Sequence, residues 1–226
     1  MYRIRFHGRG GQGMKTASRI LGSAFFLEGY EVQDAPRYGA ERRGAPIFAF
    51  VRADKNPINE RGVINHPDLV VVADDSLVPV PAAGVLQGIH DNTIILINSH
   101  DSHDTWQHRL NIKSPIVILP ETEQVEDRAE LRYIGATCAG AAASLVGVIS
   151  KDKLEQAIQD ELGHLGKAVV DKNITNALAA FTHTEKHVAT KVTEGEAISA
   201  QDYTIPQWID FPFEDARVSA PTIHAG

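Results

Sequence analysis

The sequence predicts an α/β domain built on a mainly parallel β-sheet, followed by an extended C-terminal arm. Three observations lead to this prediction. A short alternating strand runs into a glycine-rich turn and a helix at the amino end, apolar runs with the composition of buried parallel strands occupy the middle, and helical patterns follow them. We set the domain at residues 1–182 and the arm at residues 183–226.

The first elements are indicated by local patterns. Residues 3–7 alternate, with Ile4 and Phe6 on one face of a strand that the glycine turn stops. Helical spacing of apolar residues begins at Met14 and ends before Gly29. A second strand at residues 31–35 would complete the start of a βαβ unit.

The remaining elements follow in order. Residues 36–46 are too rich in Gly and Pro for a regular element, and residues 47–51 form a short strand. Buried parallel strands are predicted at residues 69–73, 93–97 and 115–119. Helices are predicted at residues 133–149, which are dense in Ala and Gly, and at residues 153–162 and 169–181.

The C-terminal arm lacks both periodicities. Residues 202–213 hold aromatic residues and prolines but cannot build a core of their own. We interpret the arm as an extended segment that docks on another subunit. A disordered terminus is the alternative.

Composition limits the function classes. The 226 residues, 43% hydrophobic and 23% charged, are typical of one folded domain with an appendage. The single cysteine, Cys138, excludes an internal disulfide and an all-cysteine iron–sulfur cluster on this chain, and we expect it to be a small buried residue rather than a nucleophile. The chain shows no signal-peptide pattern and no membrane-length apolar run, so we expect it to be cytoplasmic.

Charge is unevenly distributed. The net charge is −7, yet residues 1–52 hold nine Lys and Arg against four Asp and Glu. An acidic chain with a basic, glycine-rich head is a poor candidate for binding nucleic acid and a better one for binding a small anion or a partner surface.

The glycine turn is the first candidate site. Gly8, Gly10 and Gly13 have the spacing of a dinucleotide fingerprint, in which the backbone and a helix N-terminus approach a phosphate. The first helical turn holds Thr16 and no acidic residue. A tight turn without a ligand is one alternative. Another is an NAD-linked dehydrogenase, for which Asp34 would supply the acid expected about 20 residues on.

A second candidate site is the pair Arg42 and Arg43, which lies between glycines. Their forked donors suit phosphate or carboxylate, and Glu41 could hold one of them in place. A solvated surface loop is the alternative.

Two other features favour structural roles. His100, His103 and His108 have a spacing that a metal site could use, but a solvated turn is the preferred interpretation. Asp74 and Asp75 follow a predicted strand, and helix capping is preferred there over a magnesium site.

Several stretches together form a specific pattern. They are His7-Gly-Arg-Gly-Gly-Gln-Gly13, Thr16-Ala17, Tyr38-Gly-Ala-Glu-Arg-Arg-Gly-Ala-Pro46, Arg52 with Pro57-Ile58, and Asn65-His-Pro-Asp68. Over about residues 3–182 the chain resembles the gamma subunit of 2-oxoacid:acceptor oxidoreductases, the pyruvate:ferredoxin oxidoreductase-like enzymes. The resemblance implies a three-layer Rossmann-like domain that packs on an alpha subunit.

The resemblance also implies the chemistry of a larger complex. Such enzymes act on the oxo group of a 2-oxoacid. They use thiamine diphosphate to decarboxylate this acid. Electrons pass through [4Fe–4S] clusters to ferredoxin or another acceptor, and the acyl group usually passes to coenzyme A. Thiamine diphosphate with its magnesium and the clusters would lie in the alpha, beta and ferredoxin-like delta subunits, so this chain alone would hold no cofactor.

In members that use coenzyme A, the resemblance implies that the gamma subunit forms part of the coenzyme A site. The candidate contacts are Gly8, Arg9, Gly10, Gly11, Gln12, Gly13, Thr16, Arg42 and Arg43. No catalytic and no metal-binding residue is assigned to this chain. A structural adaptor subunit without a ligand remains an alternative.

Overall fold

A computed structural model describes residues 1–37, 44–120, 134–187 and 190–195. Within these residues, six strands form one sheet in the order β2-β3-β1-β4-β5-β6. They are β1 (Tyr2–Arg9), β2 (Glu31–Arg37), β3 (Pro46–Asp54), β4 (Leu69–Val72), β5 (Ile94–Ser99) and β6 (Ile116–Pro120). β1, β4, β5 and β6 are parallel neighbours, whereas β3 is antiparallel to both β1 and β2. Only β3 opposes the common direction, so the mainly parallel sheet is confirmed.

The placement of β3 differs from a simple βαβ unit. The chain crosses from β1 through a helix to β2, but β3 then pairs between them, from Tyr2 opposite Ala53 to Arg9 opposite Pro46. This helix connects β1 to β2 so that these two strands run parallel, and this connection does not require β1 and β2 to be neighbours in the sheet. The space left between them accepts an antiparallel strand, which needs no second crossover.

Helices cover both faces of the sheet unequally. They are α1 (Met14–Leu27), α2 (His103–Leu110), α3 (Ile134–Val146), α4 (Lys151–Leu162) and α5 (Lys167–Glu185). α1, α3, α4 and α5 share one apolar core with the sheet. On the other face, α2 and residues 75–86 cover β4 and β5. This confirms a three-layer α/β domain. None of the described helices is long and apolar enough to cross a membrane.

Helix α2 occupies part of the histidine-rich stretch that was expected to be a turn. Ser102 caps it by accepting a hydrogen bond from the N–H of Thr105, and Asn111 ends it in a left-handed conformation. Trp106 is buried against β4 and β5. The prediction of a turn was wrong for residues 103–110, where the Ser102 cap and the buried Trp106 stabilise a helix of two turns.

The Ala/Gly-rich helix α3 is buried as expected. A Cβ on Gly140 would lie 2.1 Å from the carbonyl oxygen of Ala177 in α5, so these two helices approach backbone to backbone. Cys138 is fully buried here, and burial raises the pKa of its thiol to about 12. The expected small buried cysteine is confirmed.

Residues 190–195 return to the domain after α5. The Nζ of Lys191 and the N–H of Val192 donate to the carbonyls of Ser144 and Leu145 at the end of α3, and Val192 is buried. These bonds satisfy carbonyls that a helix C-terminus leaves without partners. The rest of the predicted arm, residues 188–189 and 196–226, lies outside the described residues.

Candidate functional site

The glycine loop, residues 8–13, lies at the carboxyl edge of the parallel strands. It joins β1 to α1. From β1 the chain proceeds toward the β2 side of the sheet, whereas from β4 it proceeds toward β5. The crevice between β1 and β4 is therefore the topological switch point, where ligands bind in open α/β sheets.

Three positions in this loop require glycine, for different structural reasons. A Cβ on Gly8 would lie 2.6 Å from the Cγ of Met14, so Gly8 allows α1 to pack closely on β1. Gly11 and Gly13 have φ values of 99° and 74°, in the left-handed region. Gly13 leaves α1 without a side-chain cap, and the first turn, where Thr16 is half-buried, has no acidic residue. This is the kind of helix N-terminus that accepts an anion.

A second helix N-terminus meets the same loop. A Cβ on Gly135, at the start of α3, would lie 2.6 Å from the carbonyl oxygen of Gly13. The positive ends of the α1 and α3 dipoles therefore come together at one edge of the sheet. Sequence reasoning missed this residue, although a glycine at the start of a helix predicted to pack closely was a usable signal.

The side chains of Arg9 and Gln12 form hydrogen bonds with other residues of this chain. Asp74, which follows β4, accepts from Arg9 Nε at 2.9 Å and from Gln12 Nε2 at 3.2 Å. Arg9 also donates to the carbonyl of Gly44 at 3.1 Å and to Ser76 Oγ at 2.8 Å. The side-chain oxygen of Gln12 accepts from the N–H of Arg9 at 2.6 Å. These two candidate contacts thus hold the loop in its conformation.

The double-arginine motif, Arg42 and Arg43, lies outside the described residues. The residues that follow it adjoin the glycine loop, because the N–H of Gly10 donates to the carbonyl of Ala45 at 3.0 Å. β2, which precedes it, ends at the same edge of the sheet as β1. The roles of Arg42 and Arg43 stay predictions.

The face of β1 opposite α1, α3, α4 and α5 carries buried polar side chains that sequence reasoning missed. Arg5 donates to the carbonyl of Val85 at 2.9 Å and to that of Ile64 at 3.4 Å, and burial lowers its pKa to about 10. His7 donates from Nδ1 to the carbonyl of Ala83 at 3.0 Å, and burial lowers its pKa to about 3. Both residues hold the loops that cover this face rather than a ligand.

An ionic cluster lies at the opposite, amino edge of the sheet. The backbone N–H of Arg3 donates to Asp68 at 2.7 Å, and Glu60 accepts from the guanidinium groups of Arg3 and Arg52. Burial is the main cause that raises the pKa of Asp68 to about 6. Parts of the sequence pattern, namely Arg52 and Asp68, therefore serve the fold at a distance from the glycine loop.

The NAD alternative receives no support from the fold. Asp34 lies on the edge strand β2, beside Gly22 of α1, about 12 Å along the helix from its first residue. Because β3 separates β2 from β1, the acid does not lie beside the glycine loop as a dinucleotide fold requires.

Asp74 and Asp75 belong to a structural turn. Asp74 caps the 3₁₀ turn at Asp75–Leu77 by accepting from the N–H of Ser76, so capping is confirmed. Asp75 accepts from Ser99 Oγ at 2.6 Å. Among the described residues, no group of three or more His, Cys, Asp or Glu side chains could hold a metal ion.

A family model described as pyruvate ferredoxin/flavodoxin oxidoreductase matches residues 3–183. The chain is 39% identical over 187 residues to the "pyruvate/ketoisovalerate oxidoreductases common subunit gamma" of Pyrococcus furiosus, covering 82% of this chain and 98% of that protein. It is 35% identical to "pyruvate synthase subunit PorC" of Methanothermobacter thermautotrophicus, covering 82% and 97% of the two chains.

Two solved structures share the fold. The pyruvate oxidoreductase subunit PORC of Thermotoga maritima superposes with a TM-score of 0.64 at 28% identity, covering 80% of this chain and 95% of that chain. A 2-oxoglutarate:ferredoxin oxidoreductase from Magnetococcus marinus, solved with 2-oxoglutarate, coenzyme A and succinyl-CoA bound, gives a TM-score of 0.60 at 17% identity. That match covers 88% of this chain and 33% of the longer chain, and it shows the fold alone.

Proposed function

The chain belongs to the pyruvate ferredoxin/flavodoxin oxidoreductase family, and on this basis we propose that it is the gamma subunit of a hetero-oligomeric 2-oxoacid:acceptor oxidoreductase. The observation that carries the proposal is the match to curated gamma subunits over nearly their whole length. The complex would convert a 2-oxoacid and coenzyme A into an acyl-CoA and carbon dioxide. The two electrons released would pass, one at a time, to ferredoxin or another acceptor, and one proton would be released.

The division of labour among subunits is part of the proposal. Thiamine diphosphate with its magnesium would be held by the alpha and beta subunits, and the [4Fe–4S] clusters by partners that include a ferredoxin-like delta subunit. An all-cysteine cluster needs four thiolates, and the one thiol of this chain is buried with a raised pKa. The residues of this chain therefore do not fit a cluster.

The residues at the glycine loop fit a phosphate group of coenzyme A. A helix N-terminus without a side-chain cap or an acidic first turn lies at the switch point of the sheet, and a second helix N-terminus adjoins it. A Cβ placed on Gly11 would meet no atom within 4 Å, which indicates open space beside the loop. The loop would bind phosphate through backbone N–H groups, with Arg42 and Arg43 as further contacts.

The test is a titration of the assembled complex with coenzyme A, followed by thermal unfolding. Binding stabilises a protein by RT ln(1 + [L]/Kd), so coenzyme A should raise the melting temperature and NAD should not. The variant Arg42→Ala/Arg43→Ala should weaken coenzyme A binding about tenfold or more. The control Arg109→Ala/Lys113→Ala removes two exposed cations near α2 and should leave the affinity unchanged.

The outcomes separate the alternatives. Stabilisation by NAD instead of coenzyme A would favour a dehydrogenase. No response to either ligand, in a complex that still turns over its 2-oxoacid, would favour a structural adaptor subunit. Failure of the chain to co-purify with a thiamine diphosphate-binding partner would reject the gamma-subunit assignment itself.

A further inference from the structure

One carboxylate connects three segments that meet at the carboxyl edge of the sheet. Asp74 lies after β4, Arg9 and Gln12 lie in the glycine loop, and Gly44 lies just before β3. Asp74 Oδ2 accepts from Arg9 Nε and Gln12 Nε2, while Arg9 Nη1 donates to the Gly44 carbonyl. The three segments are thus joined through a single guanidinium–carboxylate pair.

The pair is held in one orientation. Asp74 Oδ1 accepts from the N–H and the hydroxyl of Ser76, which fixes the carboxylate at the start of the turn after β4. The Ser76 hydroxyl also accepts from Arg9 Nη2 at 2.8 Å. Arg9 therefore uses Nε, Nη1 and Nη2 on three different protein acceptors. A guanidinium that satisfies several acceptors at once is a rigid spacer rather than a mobile surface charge.

From this geometry we infer that Asp74 is a positioning residue for the coenzyme A phosphate site: it orients Arg9 and Gln12 so that the glycine loop keeps the conformation that binds. The inference rests on the proposed coenzyme A function of this edge. It assigns Arg9 and Gln12 to shaping the loop. It adds Asp74, for which the sequence favoured a capping role over a magnesium site.

Electrostatics alone predicts the opposite effect. A carboxylate beside a phosphate site repels the phosphate, so removing its charge should strengthen binding. If Asp74 instead holds the loop in place, removing its charge should weaken binding because Arg9 and Gln12 lose their shared acceptor. The sign of the change therefore separates a positioning role from a simple charge effect.

The experiment compares Asp74→Asn with Asp75→Asn in the assembled complex. Asparagine still caps the turn, so Asp74→Asn should fold. Asp75→Asn removes the same charge one residue away, where the side chain contacts Ser99 and not Arg9. We expect Asp74→Asn to raise the Kd and the KM for coenzyme A about three- to tenfold, with the KM for the 2-oxoacid unchanged. Asp75→Asn should leave the Kd unchanged or lower it.

A second variant keeps the inference testable if Asp74→Asn does not fold. Arg9→Lys keeps the positive charge but replaces the planar guanidinium, whose Nε, Nη1 and Nη2 each bind a separate acceptor, with a single ammonium nitrogen. That nitrogen cannot reproduce this set of contacts, so the variant should also raise the KM for coenzyme A. Melting temperature and subunit stoichiometry report whether each variant is assembled. Equal or tighter coenzyme A binding by Asp74→Asn relative to Asp75→Asn would overturn the inference.

The result also distinguishes this inference from the proposed function. If Arg42→Ala/Arg43→Ala weakens coenzyme A binding while Asp74→Asn behaves like Asp75→Asn, only the positioning role of Asp74 is lost. If none of these variants changes coenzyme A binding, the ligand does not bind at this edge. The coenzyme A role of the glycine loop and the positioning role of Asp74 then both fail, while the gamma-subunit assignment stands.

Discussion

The backbone of Gly135 at the start of α3 lies against the carbonyl oxygen of Gly13 at the start of α1, so closely that a Cβ on Gly135 would be 2.6 Å from it. Real Cβ atoms do not approach a carbonyl oxygen this closely, so any side chain at position 135 must move one helix away from the other. The last residue of the glycine loop and the second residue of α3 are therefore fixed together. The shape of the candidate site depends on both helices.

Gly135→Ala should separate the two helix N-termini. We expect a loss of about 1–3 kcal/mol in the free energy of unfolding, together with weaker coenzyme A binding by the complex. Denaturant unfolding and the titration described above measure the two effects. Gly163→Ala is the control, because a Cβ there meets no atom within 4 Å and its φ is −53°. Wild-type stability of Gly135→Ala would contradict the close approach.

Gly140→Ala should destabilise the domain without acting on the site directly. Its Cβ would lie 2.1 Å from the backbone oxygen of Ala177, which only a shift between α3 and α5 could relieve. We expect a loss of about 1–3 kcal/mol or more in urea unfolding. Gly22→Ala provides the comparison: its Cβ would lie 3.2 Å from a side-chain atom of Val32, and alanine favours the helix, so the net change should be small. Similar losses in the two variants would argue against backbone contact.

His7 should make the fold sensitive to acid. Burial lowers its pKa to about 3 in the folded state, while the unfolded chain has a pKa near 6.5. The unfolded state therefore binds the proton first, and stability falls as the pH drops from about 6.5 toward 3. The slope should be about 1.4 kcal/mol per pH unit at its steepest.

The variant His7→Gln tests this effect through the slope rather than the absolute stability. Urea unfolding between pH 5 and 7 should show a weaker loss of stability toward acid in His7→Gln than in the wild type. His108→Gln, at an exposed position of α2, should keep the wild-type slope. Asp68 acts in the opposite sense, since its raised pKa favours the folded state as the pH falls through about 6. Parallel curves for His7→Gln and wild type would rule out a buried neutral imidazole.

A fragment of residues 1–182 should be less stable than one of residues 1–195. The shorter fragment loses the ion pair between Lys151 and Glu185, the buried side chain of Val192 and the donors that close the end of α3. Burial of a valine side chain alone is worth about 1.5 kcal/mol or more, so we expect a difference of about 2 kcal/mol in urea unfolding. Val192→Ala in the longer fragment should show about half of this difference. Equal stability of the two fragments would place the domain boundary at residue 182.

Local patterns predicted most of the fold. The alternation of Ile4 and Phe6 and the glycine turn before Met14 identify β1 and α1, because these signals lie within a few residues of the structure they specify. The Ser102 cap was a local signal for α2 that could have been used. The antiparallel position of β3 had no such signal, since a short apolar run does not specify which strand it pairs with.

The candidate site was predictable only in part. The glycines of the loop follow from sequence, whereas the bonds of Arg9 join residues far apart in the chain, and Asp74 is 65 positions away. A pairing over this distance depends on strand order, which places β4 beside β1. Arg5 and His7 look like exposed positions of an alternating strand, and only the loops that cover β1 bury them.

The central position of β1 has a consequence for how the chain folds. β1 pairs on one side with β3 and on the other with β4, so the middle of the sheet cannot close until the ribosome has made the chain as far as Val72. The donors that close the end of α3 come later still, at residues 191 and 192. Pairings over such sequence separations fold slowly. We therefore expect the nascent chain to expose apolar strands for much of its synthesis, and early contact with chaperones or partner subunits would protect it.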